Sequence, residues 1–294
     1  MANRRVLVKR RKSVRNIRKI TRTMQLIATA RFQAAFNRAV ATKPYTEKLA
    51  ELVADLSRAA GSIEHPLLQT HDAAGRSALV VISGDRGLAG GYNANVLRAA
   101  VGHLEEQKGR GIEVDVHMVG KKGISYFRFL RRAVADQTTG IGDKPRFEQI
   151  EPIANALMDR FTRGEIASAH VAYMRFHSAG VQRPAVVQLL PLSPDQGGVG
   201  GGGGASSTAV EYEFSPDPRQ LLDELLPAVV RVRLFQAFTD AIVSEQVARM
   251  VAMKAATDAA GDMIKSLTRE YNRARQTQIT MELLDIVGGA NALA

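Results

Sequence analysis

No cysteine occurs in these 294 residues, which removes disulfides, thiolate metal centres and cysteine nucleophiles together. Tryptophan is also absent, and aromatics reach only 5% against 45% hydrophobic residues. The apolar content therefore lies in alanine and aliphatic side chains, which suits thin helix–helix seams better than a thick core. No Asp or Glu precedes Glu47, and no 18 apolar residues run together. The second absence predicts that the chain does not span a membrane. The third absence is of proline, from Ala228 to Ala294, where glycine is nearly missing as well. Such a stretch reads as one helix on the order of 100 Å long, a shaft, a bridge or a coiled coil.

What is present is positive charge. The formal net charge is +11, and Arg and Lys crowd the stretch from Arg4 to Arg22. A solvated helix face, nucleic acid, anionic lipid and an acidic protein surface all fit that pattern. Arg15, Arg18, Lys19 and Arg22 interrupt the apolar positions, so the amino terminus lacks the hydrophobic region of a secretory signal. The basic segment continues straight into a helix, unlike a removable mitochondrial presequence.

Along the chain, about Lys9 to Thr42 is helical in pattern. Ile17, Ile20, Met24 and Ile27 recur at spacings of three and four, a stripe that drifts to Ala28, Phe32, Ala35 and Ala39. Arg11, Arg15, Arg18 and Arg22 form a basic stripe on another face. Pro44 predicts a kink or a restart, followed by helix from Tyr45 to about Ala59. Strands are expected at Ala78–Ile82, Val114–Val119, Ala133–Thr138, His170–Phe176 and Ala185–Leu190. Helices are expected after Gly91 to about Gln107, over Ile124–Leu130 and over Phe147–Arg163. That alternation predicts an α/β unit with a largely parallel sheet. Gly197 to Ala209 is low-complexity and cannot pack a core. The last helix carries its own stripe at Met253, Ala256, Ala260, Ile264, Leu267, Tyr271, Ala274, Gln278 and Met281. The fold class is thus α/β: an antiparallel coiled coil of the terminal helices with an inserted, Rossmann-like α/β domain. The boundaries are 1–60 for the first shaft helix, 75–195 for the α/β domain, 196–215 for the glycine-rich loop and 216–294 for the second shaft helix.

Catalytic signals are weak. Gly84 to Gly91 lies between a strand and a helix but matches neither phosphate-loop pattern, and Asp85 would repel a phosphate there. It reads as a turn with unusual backbone angles. The six histidines show no metal spacing, Ser83 and Ser125 lack a nucleophile-elbow context, and no carboxylates converge. Neither an active site, a metal site nor a cofactor is expected. No aromatics interleave with the basic stripe, which argues against nucleic acid. Met24, Met250, Met253, Met263 and Met281 sit where helices pack, either on a core or on a partner.

Three stretches together resemble the γ subunit of F-type ATP synthase. They are Ile17 to Ala28 with Lys43 to Tyr45, Asp85 to Asn95, and the pair Ser244 to Asp258 and Ile279 to Ala290 joined by Tyr271 to Gln276. None is a catalytic signature, but their order and combination are specific. The resemblance implies a rotor whose terminal helices turn inside a ring of α and β subunits, one copy per complex. Its α/β domain would meet the ε subunit and the c-subunit ring. Ring contacts then fall on Met24, Arg249, Gln276 and Thr280, with Glu245, Arg275 and Glu282 nearby, and the c-ring or ε contact near Tyr212. Catalysis would belong to β. Ala89 stands where the family often has cysteine, and the glycine-rich loop replaces a charged connection near Tyr212. The expected location is peripheral, on the cytoplasmic face of a bacterial plasma membrane. The competing readings are a basic coiled-coil adaptor or nucleic-acid-binding protein, and a small α/β enzyme taking a nucleotide at Gly84 to Gly91.

Overall fold

A computed structural model describes residues 4–59, 65–69, 75–192 and 218–293. The elements run α1 (Arg4–Ala59), β1 (Arg76–Ile82), α2 (Tyr92–Gly109), β2 (Glu113–Val119), α3 (Lys121–Phe129), β3 (Asp136–Thr138), α4 (Phe147–Thr162), β4 (Ser168–Ser178), β5 (Val181–Leu190) and α5 (Pro218–Leu293). Their contacts divide the chain into two compact units. One is formed by the described residues up to Thr29 with those from Arg249 onward; the other covers Ala30 to Ala248.

The larger unit is built on a five-stranded sheet in the order β3-β2-β1-β4-β5. β1 is parallel to both β2 and β4, and β2 to β3, while β5 folds back antiparallel on β4. The run Ser77–Ile82 is buried throughout, as a central strand covered on both faces must be. Its two-residue period sorts the core. Ala78, Val80 and Ile82 face α4 and the first turns of α5, where Leu222, Leu226, Val230, Leu234 and Phe238 recur at spacings of four. Leu79 and Val81 face α2 and Phe127 of α3. The chain leaves β1 toward β2 and β3 on one side and returns to β4 on the other, so strand order reverses beside β1. That reversal is where open α/β sheets form their crevice.

Local chemistry explains the turns that position this edge. Gly120, between β2 and α3, has φ +93, and an added Cβ would collide with the Ser83 carbonyl. Pro44 neither kinks α1 into two elements nor restarts it; it lies inside one helix of 56 residues. The Thr42 and Thr46 hydroxyls donate to the carbonyls of Arg38, Ala39 and Thr42 around the proline. Side-chain donors thus satisfy acceptors in the turns flanking the missing N–H. α5 is likewise one helix, of 76 residues, with Pro227 inside it.

The smaller unit is a helix pair. The Thr257 hydroxyl lies 2.8 Å from that of Thr21, and the Arg11 guanidinium sits 4.9 Å over the Tyr271 ring. As the number falls on α1 it rises on α5, so the two helices run antiparallel. Leu7 and Ala28 are buried, with Val14 and Thr21 half-buried between them at heptad spacing. Opposite them Met253, Thr257, Ala260 and Leu267 are buried, and Ile264, Tyr271 and Ala274 half-buried. Alternating steps of three and four on α5 are the period of a left-handed coiled coil.

The expected stripe of α1 holds in its second half, at Ala28, Phe32, Ala35 and Ala39, and fails in its first. Ile17, Ile20 and Ile27 are exposed, Ile20 at 59%, while Met24 is half-buried. The seam is instead filled by small and polar side chains, and the basic stripe contributes to it: Arg11 stacks on Tyr271, and Arg18 lies over Gly261. Gly261, lacking a side chain, leaves the space that the Arg18 guanidinium takes. On α5 the expected stripe holds from Met253 to Ala274 and ends there, because Gln278 and Met281 are exposed. Among the methionines, Met253 is buried and Met250 half-buried, whereas Met263 is exposed.

Candidate partner-binding surface

The register explains where pairing stops. With Thr21 against Thr257 and Arg11 against Tyr271, Arg4 falls opposite the turn at 274–278. The rest of α5 has no described residue of α1 beside it. Ile279, Leu283, Leu284, Ile286 and Val287 are all exposed there, Ile286 at 70%. A helix turn showing that much aliphatic surface marks a contact with another molecule. The stripe of Ile17, Ile20, Leu26 and Ile27 on α1 is a second such surface.

Of the sequence-predicted contact residues, Arg275 and Gln276 are exposed on the last paired turn, and Thr280 and Glu282 on the unpaired stretch beyond it. Local bonds hold two of them: Gln278 donates to Glu282 at 2.8 Å, and the Thr280 hydroxyl donates to the Gln276 carbonyl at 3.0 Å. Met24 sits at the rim of the seam, half-buried. Arg249 is only 7% exposed, so any contact it makes with a partner is through a small edge. Tyr212 and the glycine-rich loop lie outside the described residues.

Glu245 belongs to the sheet unit. It lines a cavity of about 70 Å³ at the carboxyl ends of β1, β2 and β3, together with Ser83, Asp85, Arg86 and Asp143. This is where a nucleotide would enter an open α/β sheet, and the residues fill it. Asp85 accepts from the backbone N–H of Lys121 at 3.0 Å and of Gly140 at 3.2 Å. A carboxylate thus occupies the amino terminus of α3, the position a phosphate would need. The Ser83 hydroxyl donates to the Val119 carbonyl at 2.7 Å and accepts from Gly123 N–H at 2.9 Å. It is a rivet between β1 and α3, with its lone pair and proton both committed.

Sequence reasoning missed the group around Asp143. Its carboxylate accepts from Arg31 of α1 and, at 2.8 Å, from Gln246 of α5, while Arg38 donates to its carbonyl at 2.9 Å. Arg86 stands 3.9 Å from the same carboxylate. These residues lie more than 50 positions from Asp143 in the chain, and no local motif announces them. The loop after β3 is thereby tied to both long helices within one unit.

Three of the described histidines, His103, His117 and His170, lie half-buried in the sheet unit. His117 bonds Thr138 at 2.8 Å and faces Asp136 at 3.1 Å; burial holds its pKa below the ordinary value against the pull of Asp136. The His103 and His170 rings stack at 4.7 Å, each with a buried nitrogen lacking a hydrogen-bond partner. Burial, with a smaller push from His103, takes His170 down to about 4. Among the described residues no cluster of three or more metal-ligating side chains forms, and no helix is long and apolar enough to cross a membrane.

An antiparallel helix pair with exposed aliphatic turns, and a sheet unit whose edge is occupied by its own carboxylate, define the class: a chain with surfaces for other proteins to hold. Known proteins agree. The family model described as ATP synthase matches residues 3–293. An ATP synthase gamma chain of Rhodopirellula baltica is 43% identical over all of this chain and 99% of its own length. One of Leptospira biflexa is 42% identical over the whole of both. The rotor of the Euglena gracilis mitochondrial ATP synthase has the same fold, with TM-score 0.61 at 16% identity, over 94% of this chain and 98% of that one. The chain belongs to the ATP synthase gamma-chain family. Its role is that of the central stalk, which takes part in ATP synthesis and hydrolysis by the complex without catalysing them itself.

Proposed function

We propose that the helix pair turns inside a ring of α and β subunits and that the sheet unit engages the ε subunit and the c-subunit ring near Tyr212, one copy per complex. The supporting observation is the unpaired stretch of α5 with its exposed aliphatic residues. Such a surface needs a sleeve, and after Asp285 the described residues carry no charged side chain that a sleeve would have to desolvate. Lower down, Met24, Glu245, Arg249, Arg275, Gln276, Thr280 and Glu282 make the contacts that transmit torque. Basic residues of α1 pair with acidic segments of β, each pair worth less than about 1 kcal/mol and screened by salt. Weak pairs suit a rotor, which must release each β as readily as it engages it. Because α1 and α5 carry their exposed residues in different patterns, the shaft presents different contacts to each β and so shifts their conformational equilibria unequally. The complex works at the cytoplasmic face of a bacterial plasma membrane, with ion flow through the c ring driving rotation.

The absence of cysteine makes the test clean. Gln276→Cys and Ile20→Cys each supply a single thiol for cross-linking in a complex assembled with cysteine-free α, β and ε. Bonds to cysteines introduced in α or β should form in good yield and stop ATPase activity until reduced. Cross-links that form without affecting turnover would refute a rotating contact at these positions.

A further inference from the structure

We propose that the carboxyl end of α3 is a docking site for an anionic lipid surface, a contact separate from the shaft and from the region near Tyr212. Between Gly120 and Ala135 the chain carries Lys121, Lys122, Arg128, Arg131 and Arg132 and no carboxylate. Carboxylates close to the segment are engaged: Glu105 with Arg132, Asp136 with His117, and Asp85 with backbone N–H groups. Arg128 and Arg131 are exposed and form no ion pair within the described residues. Beside them stand Tyr126, Leu130 and Phe129, the last 82% exposed.

The neighbouring Phe127 is wholly buried against α2 and β2, so α3 is clamped with its aromatic end held outward. Helix termination fixes the rest. Arg132 N–H bonds the Phe127 carbonyl at 3.0 Å and Arg131 N–H that of Arg128 at 3.1 Å, and Arg131 takes φ 52, a conformation glycine adopts far more easily. Arg131 thus takes a strained backbone angle two residues after Phe129. Guanidinium groups take phosphate oxygens in paired hydrogen bonds, and a phenyl ring flanked by leucine and tyrosine enters the headgroup and upper acyl layer. A cluster of cations beside exposed aromatic and aliphatic side chains matches an anionic headgroup layer in both its charge and its apolar depth.

The chain has no tryptophan, so Phe129→Trp in the full chain reports its own surroundings. Vesicles of 70:30 phosphatidylcholine and phosphatidylglycerol should shift its emission to the blue, and brominated acyl chains should quench it. Pure phosphatidylcholine should do neither. Val181→Trp, exposed at the far edge of the sheet, controls for binding through the basic amino-terminal helix and should remain unquenched. Adding Arg128→Gln and Arg131→Gln to Phe129→Trp should lower the partition measured by quenching about 25-fold, roughly fivefold for each cation lost. Equal quenching at both reporter positions, or none at Phe129→Trp, overturns the proposal. So does a blue shift that appears only on adding the α, β or ε subunits, which would make the patch a protein contact.

Discussion

Asp143 shows how one carboxylate can join parts of a chain that no local pattern connects. It draws Arg31 from α1 and Gln246 from α5 onto the loop after β3. Removing it leaves Arg31 without its acceptor and Gln246 without one of its bonds, while the Arg38 bond to the backbone carbonyl survives. Because the pair is about one-third exposed, Asp143→Ala should destabilise the sheet unit by about 1–2 kcal/mol, seen as a lower urea midpoint with unchanged slope. His170 gives the pH dependence. Its folded pKa of about 4 lies below the ordinary 6.5, so the unfolded chain binds more protons between those values. Stability is therefore full above about pH 6.5 and falls as pH drops toward 4, by about 2–3 kcal/mol from this residue. Burial lowers His65, His103 and His117 in the same direction. Urea melts from pH 7.5 to 5 should flatten in His170→Gln; an unchanged slope would mean that His170 does not carry the effect. At the seam's rim, Met24→Lys adds a cation beside an acidic partner. It should hold the shaft at one angle by up to about 1 kcal/mol, roughly fivefold, and lower coupling while leaving the melting temperature of the isolated chain within a few degrees. Equal coupling in mutant and parent would assign Met24 to packing alone.

At the scale of elements, what the sequence revealed and what it hid follow from one rule. Strands buried on both faces, such as Ala78 to Ile82, announce themselves as continuous apolar runs, whereas β3, expected from Ala133, is only the largely exposed Asp136–Thr138, held by its pairing with β2. A helix stripe says only that some partner covers it, not which. On α5 the stripe from Met253 to Ala274 meets α1; on α1 the isoleucines face away, and Thr21, Arg11 and Arg18 fill the seam. The filled crevice was half legible, since Asp85 stood in the phosphate position but its bonds to Lys121 and Gly140 require the fold. The end of pairing near 274–278 also sets a prediction. Removing the residues after Asp285 takes away no seam and no charged side chain, so assembly and much of the ATPase activity should remain. Shortening past Thr280 and Gln276 removes the exposed contact residues and reaches the seam. Stepwise truncations assayed for ATP-driven proton pumping should show a gentle slope and then a steep drop. Total loss on removing 288–294 alone would make the tip an anchor.

For the whole molecule, two exposed apolar stripes and a filled crevice combine to make a chain that acts only through what surrounds it. The edge where a nucleotide would bind is occupied by Asp85, which accepts from two backbone N–H groups, and by Ser83, whose hydroxyl is bonded on both sides. Hydrolysis belongs to the complex and not to this chain, and on the function proposed above this chain supplies the contact that makes the catalytic subunits unequal. Alone it should hydrolyse no ATP, and ATP should leave its melting temperature unchanged. Mixed with α and β subunits it should restore rapid, multisite ATPase activity, and salt should weaken that assembly gradually, because the basic stripe contributes through screened pairs while the aliphatic tip does not. Raising ionic strength from about 0.05 to about 0.5 M should therefore speed release of Gln276 cross-link-free complexes without abolishing association. Two results would separate the alternatives. Hydrolysis by the pure chain, lost on Asp85→Asn, would place a catalytic site in the crevice. Complete dissociation at moderate salt would show that charge, and not the exposed isoleucines and leucines of the two helices, holds the shaft in its sleeve.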